Sequence, residues 1–289
     1  MPSRPTLAVI LAFWLATCGF VLYRDVWPRL TASGPPPMAV DLGEEASPNV
    51  SVRWTLYRGD KKVGRLTTHT AYVDADDTFR QTHDYRQLEF EFSGAKVVVP
   101  QLVLTTRVSR AGDLREQTAK GTLEVQFQKD TFKAEAHVQG RVVDGLFVGR
   151  CEVRSLLGDV NEELEPVAVP DGQALNPLQV TNRITGLKAG QHWVVQEIDP
   201  LGEAVATLVK GLVRKAGLPF PERKREAIFA RVSSAPEVLT WHGQEERCWV
   251  IDYRGGEARA KTWVRESDGK VLRQEAFGMG ERLTVDRDE

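Results

Sequence analysis

VSVRWTLYRGDKKVG, residues 50–64, decides the fold. Val50, Val52, Trp54 and Leu56 are apolar, while Ser51, Arg53 and Thr55 between them are polar. A period of two sends successive side chains to opposite faces of an extended chain, so this is a strand with one buried and one wet face. Gly59 and Asp60 supply the turn chemistry of a hairpin, and Val63 to Val73, rich in Thr and Tyr, reads as the returning strand. Working outward, Asp74 to Asp77 is a second turn, and Thr78 to Phe92 a long strand ending in clean alternation at Leu88, Phe90 and Phe92.

The same grammar continues. Strands are expected over Val97–Val108, from Leu114, over Gly121–Gln128, over Thr131–Val138 and over Gly145–Arg154, with turns at Ala111–Asp113 and Lys129-Asp130. Consecutive long strands joined by short turns make an antiparallel meander with one buried face. Ala134 and Ala136 leave room on that face or pack beneath a bulky neighbour. Leu156 to Leu187, broken by Pro166, Pro170 and Pro177, is a connection. Gly190–Ile198 is again a strand. In Gly202–Gly217, Val205, Leu208, Val209, Leu212 and Val213 recur at three and four residues, which is helical spacing. Further strands are expected over Ala227–Ser233, Glu237–Trp241, Arg247–Tyr253, Ala258–Glu266, Val271–Ala276 and Arg282–Val285, with a hairpin turn at Ser267–Lys270.

The amino terminus differs. Thr6 to Tyr23 is an uncharged run of 18 residues (23 − 6 + 1), near the lower limit of the roughly 17–25 that cross a bilayer core. Its flanks carry Arg4 before it and Arg24, Asp25 and Arg29 after it, a weak charge bias. An uncleaved signal anchor is the preferred reading. A cleaved secretory signal, a lipoprotein signal ending at Cys18 and a buried core helix are the alternatives. Arg24 to Asn49, with Gly34 and Pro35–Pro37, is a stiff spacer.

Composition excludes some functions. Lys+Arg is 38 and Asp+Glu 40, a net charge of −2, so no global field recruits nucleic acid. Of the three cysteines, Cys151 and Cys248 lie outside the anchor and form a candidate disulfide, the alternative being two buried thiols. His69, His83, His137, His192 and His242 are scattered without metal-ligand spacing, and no phosphate loop or nucleophile elbow occurs. His69 and His83 are placed to face each other across the hairpin at 74–77, with a plain surface pair as the simpler reading. A cysteine–histidine nucleophile pair is one enzymatic arrangement these residues offer, and histidine or cysteine converging with carboxylates another. No catalytic residue, metal or cofactor is assigned.

The leader, the proline spacer, WTLYRGDKKVG at 54–64 and TWVRESDGKVLRQEAFGMGERLTVDR at 262–287 resemble exported, β-rich bacterial envelope proteins. The meander is more loosely similar to the curved half-barrels of Lol-type lipoprotein carriers. That resemblance implies a sheet curling around an apolar ligand such as a lipid chain. With the anchor reading, the expected location is the bacterial inner membrane, single-pass, with the soluble part on the periplasmic or extracytoplasmic side. The expected fold is mainly β: an antiparallel meander forming a curved sheet or half-barrel, in one or two lobes, with one N-terminal transmembrane helix and one short soluble helix. The expected segments are an anchor at 1–24, a linker at 25–49, a β lobe at 50–155, a connection at 156–187 and a second β lobe at 188–289, its helix near 202–217. The expected function is a non-enzymatic structural or interaction module of the envelope. A carrier of a lipid or other apolar ligand is the first alternative, and a hydrolase or thiol enzyme the second. Expected partners are the membrane, through Thr6 to Tyr23, and an apolar ligand or envelope protein. A ligand pocket is expected to be lined by Trp54, Phe90, Phe92, Phe127, Phe132 and Trp193, each of which also suits an ordinary core.

Overall fold

A computed structural model describes residues 4–23, 51–92, 95–127, 130–156, 158–169, 180–195, 200–202, 227–255, 258–278 and 281–288. Helix α1 is Arg4–Val21. The strands are β1 (Ser51–Arg58), β2 (Lys61–Val73), β3 (Thr78–Phe92), β4 (Ala95–Ser109), β5 (Leu114–Phe127), β6 (Asp130–Val143), β7 (Leu146–Ser155), β8 (Val160–Glu163), β9 (Val167–Ala168), β10 (His192–Val195), β11 (Ile228–Val232), β12 (Glu237–Trp241), β13 (Gln244–Gly255), β14 (Ala258–Arg265), β15 (Val271–Gly278) and β16 (Glu281–Arg287). The alternation in the sequence thus places these strands, with Leu114–Gln117 and Gly121–Gln128 merged into one β5. Two short strands, β8 and β9, lie in the stretch read as a connection. Beyond Gly202, the expected helix over Gly202–Gly217 lies outside the described residues.

All the described strands form one sheet, in the order β10-β11-β13-β14-β15-β16-β1-β2-β3-β4-β5-β6-β7-β8, with β12 beside β13 and β9 beside β7. Neighbours are antiparallel throughout. The first and last strands join the two halves: Trp54 pairs with Arg287, Leu56 with Val285 and Arg58 with Leu283. The expected curved antiparallel sheet is therefore present as a single open sheet.

Curvature follows from what packs together. Residues 180–182 reach strands on both sides of β1: Val180 O meets His83 on β3, and Asn182 O takes the Val271 amide of β15, four steps away in the sheet order. A flat sheet would hold those strands about 19 Å apart at ~4.8 Å per strand, against the ~7 Å that two residues of chain span. The sheet curls instead, and residues 180–187 lie inside the curl. Val180, Asn182 and Ile184 are buried there among Trp54, Leu66, Ile228 and Val264.

A buried loop must find partners for its backbone. The Val271 amide donates to Asn182 O at 3.0 Å, and the Ile184 amide to Gly269 O at 2.8 Å. Trp54 Nε1 donates to Thr68 Oγ1 at 3.0 Å, which in turn donates to Asn182 Oδ1 at 2.7 Å. Arg287 Nη1 donates to Asn182 O at 3.0 Å, with its guanidinium 5.6 Å from the centre of the Trp54 ring. His83 Nε2 meets Val180 O at 3.1 Å, and since a carbonyl only accepts, this nitrogen carries the proton. Gly269 is required twice over. Its φ is +73°, and an added Cβ would come within 2.9 Å of Ile184 O.

A change of facing occurs midway along β3. Phe79, Gln81, His83 and Tyr85 point inward, and then Leu88 and Phe90 do. Gln87, with φ of 55°, absorbs the change opposite Pro100, which has no N–H to donate. The β4–β5 register slips by one residue at the same level, between Val98 and Gln101.

Helix α1 covers most of the expected Thr6–Tyr23 span. Its 18 residues extend about 27 Å at ~1.5 Å per residue. Among the described residues no helix is long and apolar enough to cross a membrane. Cys151 and Cys248 are free, which corrects the candidate disulfide. Cys151 packs inside the curl with Phe147 and Val138, and Cys248 lies on the opposite face of the sheet with Leu239 and Leu272. They are ten strands apart in the sheet order, far outside the ~7 Å Cα separation a disulfide tolerates.

Two expected outcomes test this core. Gly269→Ala should cost about 1–3 kcal/mol of stability, read as a lower urea midpoint at unchanged slope. Burial depresses the pKa of His83 below its ordinary 6.5. The unfolded chain therefore takes up the proton first. Stability should be full above about pH 6.5 and fall as pH drops below it. Urea midpoints at pH 7.5 and 5.5 should differ more for the native chain than for His83→Gln.

Candidate functional site

The inner face of the sheet divides into two wings of unlike filling. In the wing from β10 to β3, large side chains and residues 180–187 occupy the curl: Trp54 is 0% exposed and Trp193 4%. In the wing from β3 to β7 the inward positions form cross-strand rows, because directly paired residues share a face.

The outermost row is Phe90–Val97–Val125–Phe132. Next comes Leu123–Ala134–Ser155, and then Tyr85–Leu102–Gly121–Ala136–Val153. None of these positions carries a charge. Phe132 is 44% exposed and Leu123 39%, while Phe90, Val97, Val125, Ala134, Ala136 and Val153 are half-buried. Small residues lower the floor at Ala134 and Ala136, and at Gly121, where Leu102 lies across the space a Cβ would take. The result is an uncharged, half-open apolar surface on the inner face of a curved sheet.

Deeper in, a polar row crosses the same strands: Thr70–Gln81–Thr106–Gln117–Gly140–Gly149. Thr70, Gln81, Thr106 and Gln117 are all buried. One cover is visible: Pro200 and Leu201 are buried, and the Leu201 amide donates to Gln117 Oε1 at 3.3 Å. Beyond this row lie Phe79, Val108, Leu114 and Phe147, a second core. Gly140 is there because the Phe147 ring occupies the place of its side chain. The apolar rows are thus bounded on one side by closed, packed structure.

The six residues expected to line a pocket separate accordingly. Trp54 and Trp193 are core, a correction that follows from the curl and from residues 180–187 filling it. Phe90 and Phe132 stand at the two ends of the outermost row. Phe92 and Phe127 end β3 and β5, and their side chains lie outside the described residues. Sequence reading passed over Leu123, Val125, Val97 and Val153. Their alternation was plain, but only the register of four strands lines them up.

Among the described residues, the histidines and cysteines singled out in the sequence do not converge. His69 pairs with Thr82 and His83 with Thr68, so the two histidines lie on opposite faces rather than facing each other. Cys151 is pushed up from its ordinary pKa by burial and then by Glu162 and Glu152. Burial and Glu246 push Cys248 up to about 11. Both are protonated thiols near neutral pH, the less nucleophilic form. No group of three metal-ligating side chains occurs among the described residues. No protein-family model matches this chain, and no curated protein matches it.

Core and surface roles make different mutational demands. Trp54→Ala should destabilise by about 3–5 kcal/mol, and Phe132→Ser by no more than about 1 kcal/mol. Thermal and urea melts of the two variants measure the contrast.

Proposed function

We propose that the chain is a tethered binding domain for an elongated apolar ligand of the lipid acyl-chain class, seated on the inner face of the β3–β7 wing. The observation that carries this reading is the half-open row Phe90–Val97–Val125–Phe132 with its uncharged neighbours. Apolar surface left in water is unfavourable by about 25 cal/mol per Å², and a concave, uncharged face recovers that on binding a chain of CH2 groups. The four residues of the row span three strand spacings, about 14 Å, a width suited to a flexible chain.

The tether in this reading is α1. It presents Phe13, Trp14, Leu15 and Phe20 to its surroundings, each more than half exposed. Tyr23 follows the carboxyl end of this helix, and the expected linker at 25–49 lies outside the described residues.

The test is native mass spectrometry of the full chain, purified in detergent from its own membranes, followed by organic extraction. A bound mass that extracts as an acyl lipid is expected, and Phe132→Asp together with Leu123→Asp should lower its occupancy at least fivefold. An empty inner face, with crosslinks from Phe132 to a protein instead, would replace this reading with a structural or interaction module.

A further inference from the structure

The polar row Thr70–Gln81–Thr106–Gln117 is unusual for the inside of a curled sheet. Four adjacent strands each bury a polar side chain there, 3–7% exposed. Buried polar groups in folded chains are paired, with rare exceptions. Gln117 is paired through Oε1, which accepts from the Leu201 amide. Among the described residues Thr70, Gln81 and Thr106 make no side-chain hydrogen bond. Their hydroxyl and amide groups stay accessible rather than sealed.

The next rows extend the pattern. His83 stands two residues along β3 from Gln81, and Tyr85 two further, all on the inner face. His83 gives its Nε2 proton to Val180 O, so Nδ1 is left as an acceptor, and no donor meets it among the described residues. Burial pushes the Tyr85 phenol up to about 12, so it stays neutral, and its hydroxyl has no partner among the described residues. Two kinds of partner are therefore missing: an O–H for His83 Nδ1, and acceptors for the glutamine amides and the hydroxyls.

Charge narrows the choice. Across β2 to β7, neither the row through Gln81 nor those through His83 and Tyr85 include a lysine, arginine, aspartate or glutamate. A charged group buried on them would lack a counter-charge, at a large desolvation cost. Length is compatible with a chain that has one polar end. On β5, Val125 of the outermost apolar row and Gln117 share the inner face eight residues apart (125 − 117), about 27 Å at ~3.4 Å per residue. An extended acyl chain laid along β5 rests on Val125, Leu123 and Gly121, with its polar end at Gln117.

We propose that this row seats the head of the acyl ligand, and that the head is an uncharged ester bearing free hydroxyls, as in a monoacylglycerol. Its carbonyl supplies an acceptor for the Gln81 and Gln117 amides, and its hydroxyls supply the donor that His83 Nδ1 lacks. The inference rests on the acyl-chain reading of the inner face and narrows it to one chemical class.

The full chain, held in amphipol, is titrated calorimetrically at neutral pH with three probes of one chain length. These are 1-monolauroylglycerol, methyl laurate, which keeps the ester without hydroxyls, and laurate, which is charged. The monoglyceride should bind about tenfold tighter than either of the others. Gln81→Leu and Thr106→Val keep the side-chain shape, so the urea midpoint should hold. Each should cut the preference at least about threefold and leave methyl laurate affinity unchanged. The comparison of probes on the native chain needs no variant, so it decides the matter even where a variant fails to fold. Equal affinities for the monoglyceride and methyl laurate, or tighter binding of laurate, would overturn the head site and leave the acyl-chain reading standing. A preference that both folded variants preserve would do the same. Binding of none of the three probes would overturn both.

Discussion

The chain of hydrogen bonds from Trp54 through Thr68 to Asn182, closed by Arg287, is the contact on which the rest of the structure depends. It ties together β1, β2, β16 and the inserted residues 180–187. Each member is buried, so each would cost about 1–3 kcal/mol if left without its partner. Arg287 is the most exacting member. A buried guanidinium persists only where carbonyl oxygens and a π face replace its hydration, and Asn182 O, Val271 O and the Trp54 ring do this. Because Arg287 lies opposite Trp54 in the β1–β16 pairing, the same network also holds the two halves of the sheet in register.

An unequal molecule follows. A long open sheet with one apolar face must cover that face or curl. Here one wing curls around residues 180–187 and is filled, while the other keeps apolar rows half open. The change of facing at Gln87 and Pro100 marks the passage between the two arrangements along β3 and β4. The proposed ligand face is therefore what remains of the inner surface once the core has taken what it needs.

Much of this could be read in the residues. Period-two patterning located the strands, and the hairpin at Ser267–Lys270 was legible from Asp268-Gly269. The assignment of individual aromatics was not. Trp54 and Phe132 look alike in their alternating strands, yet one is fully enclosed and the other nearly half exposed. What separates them is distance from residues 180–187, the end of the stretch 156–187 that was read as mere connection because its prolines and polar residues carry no period. Asn182 was likewise silent, since its role consists of three partners drawn from β2, β15 and β16. The pairing of the cysteines failed for the same reason. Their facing can be read from the alternation, but the nine strands between them cannot be counted before the sheet order is known.

The sequence by itself determined local matters: which segments extend, where they turn, which side chains share a face, and that the first helix is apolar all round. These depend on spacing along the chain and on turn chemistry, both of which act within a few residues. Only the tertiary structure decided that β16 closes on β1 and that residues 180–187 fill one wing. Those outcomes depend on contacts between residues far apart in the chain. There the entropy of closing long loops is set against burial across the whole sheet, and no short stretch of residues carries that balance.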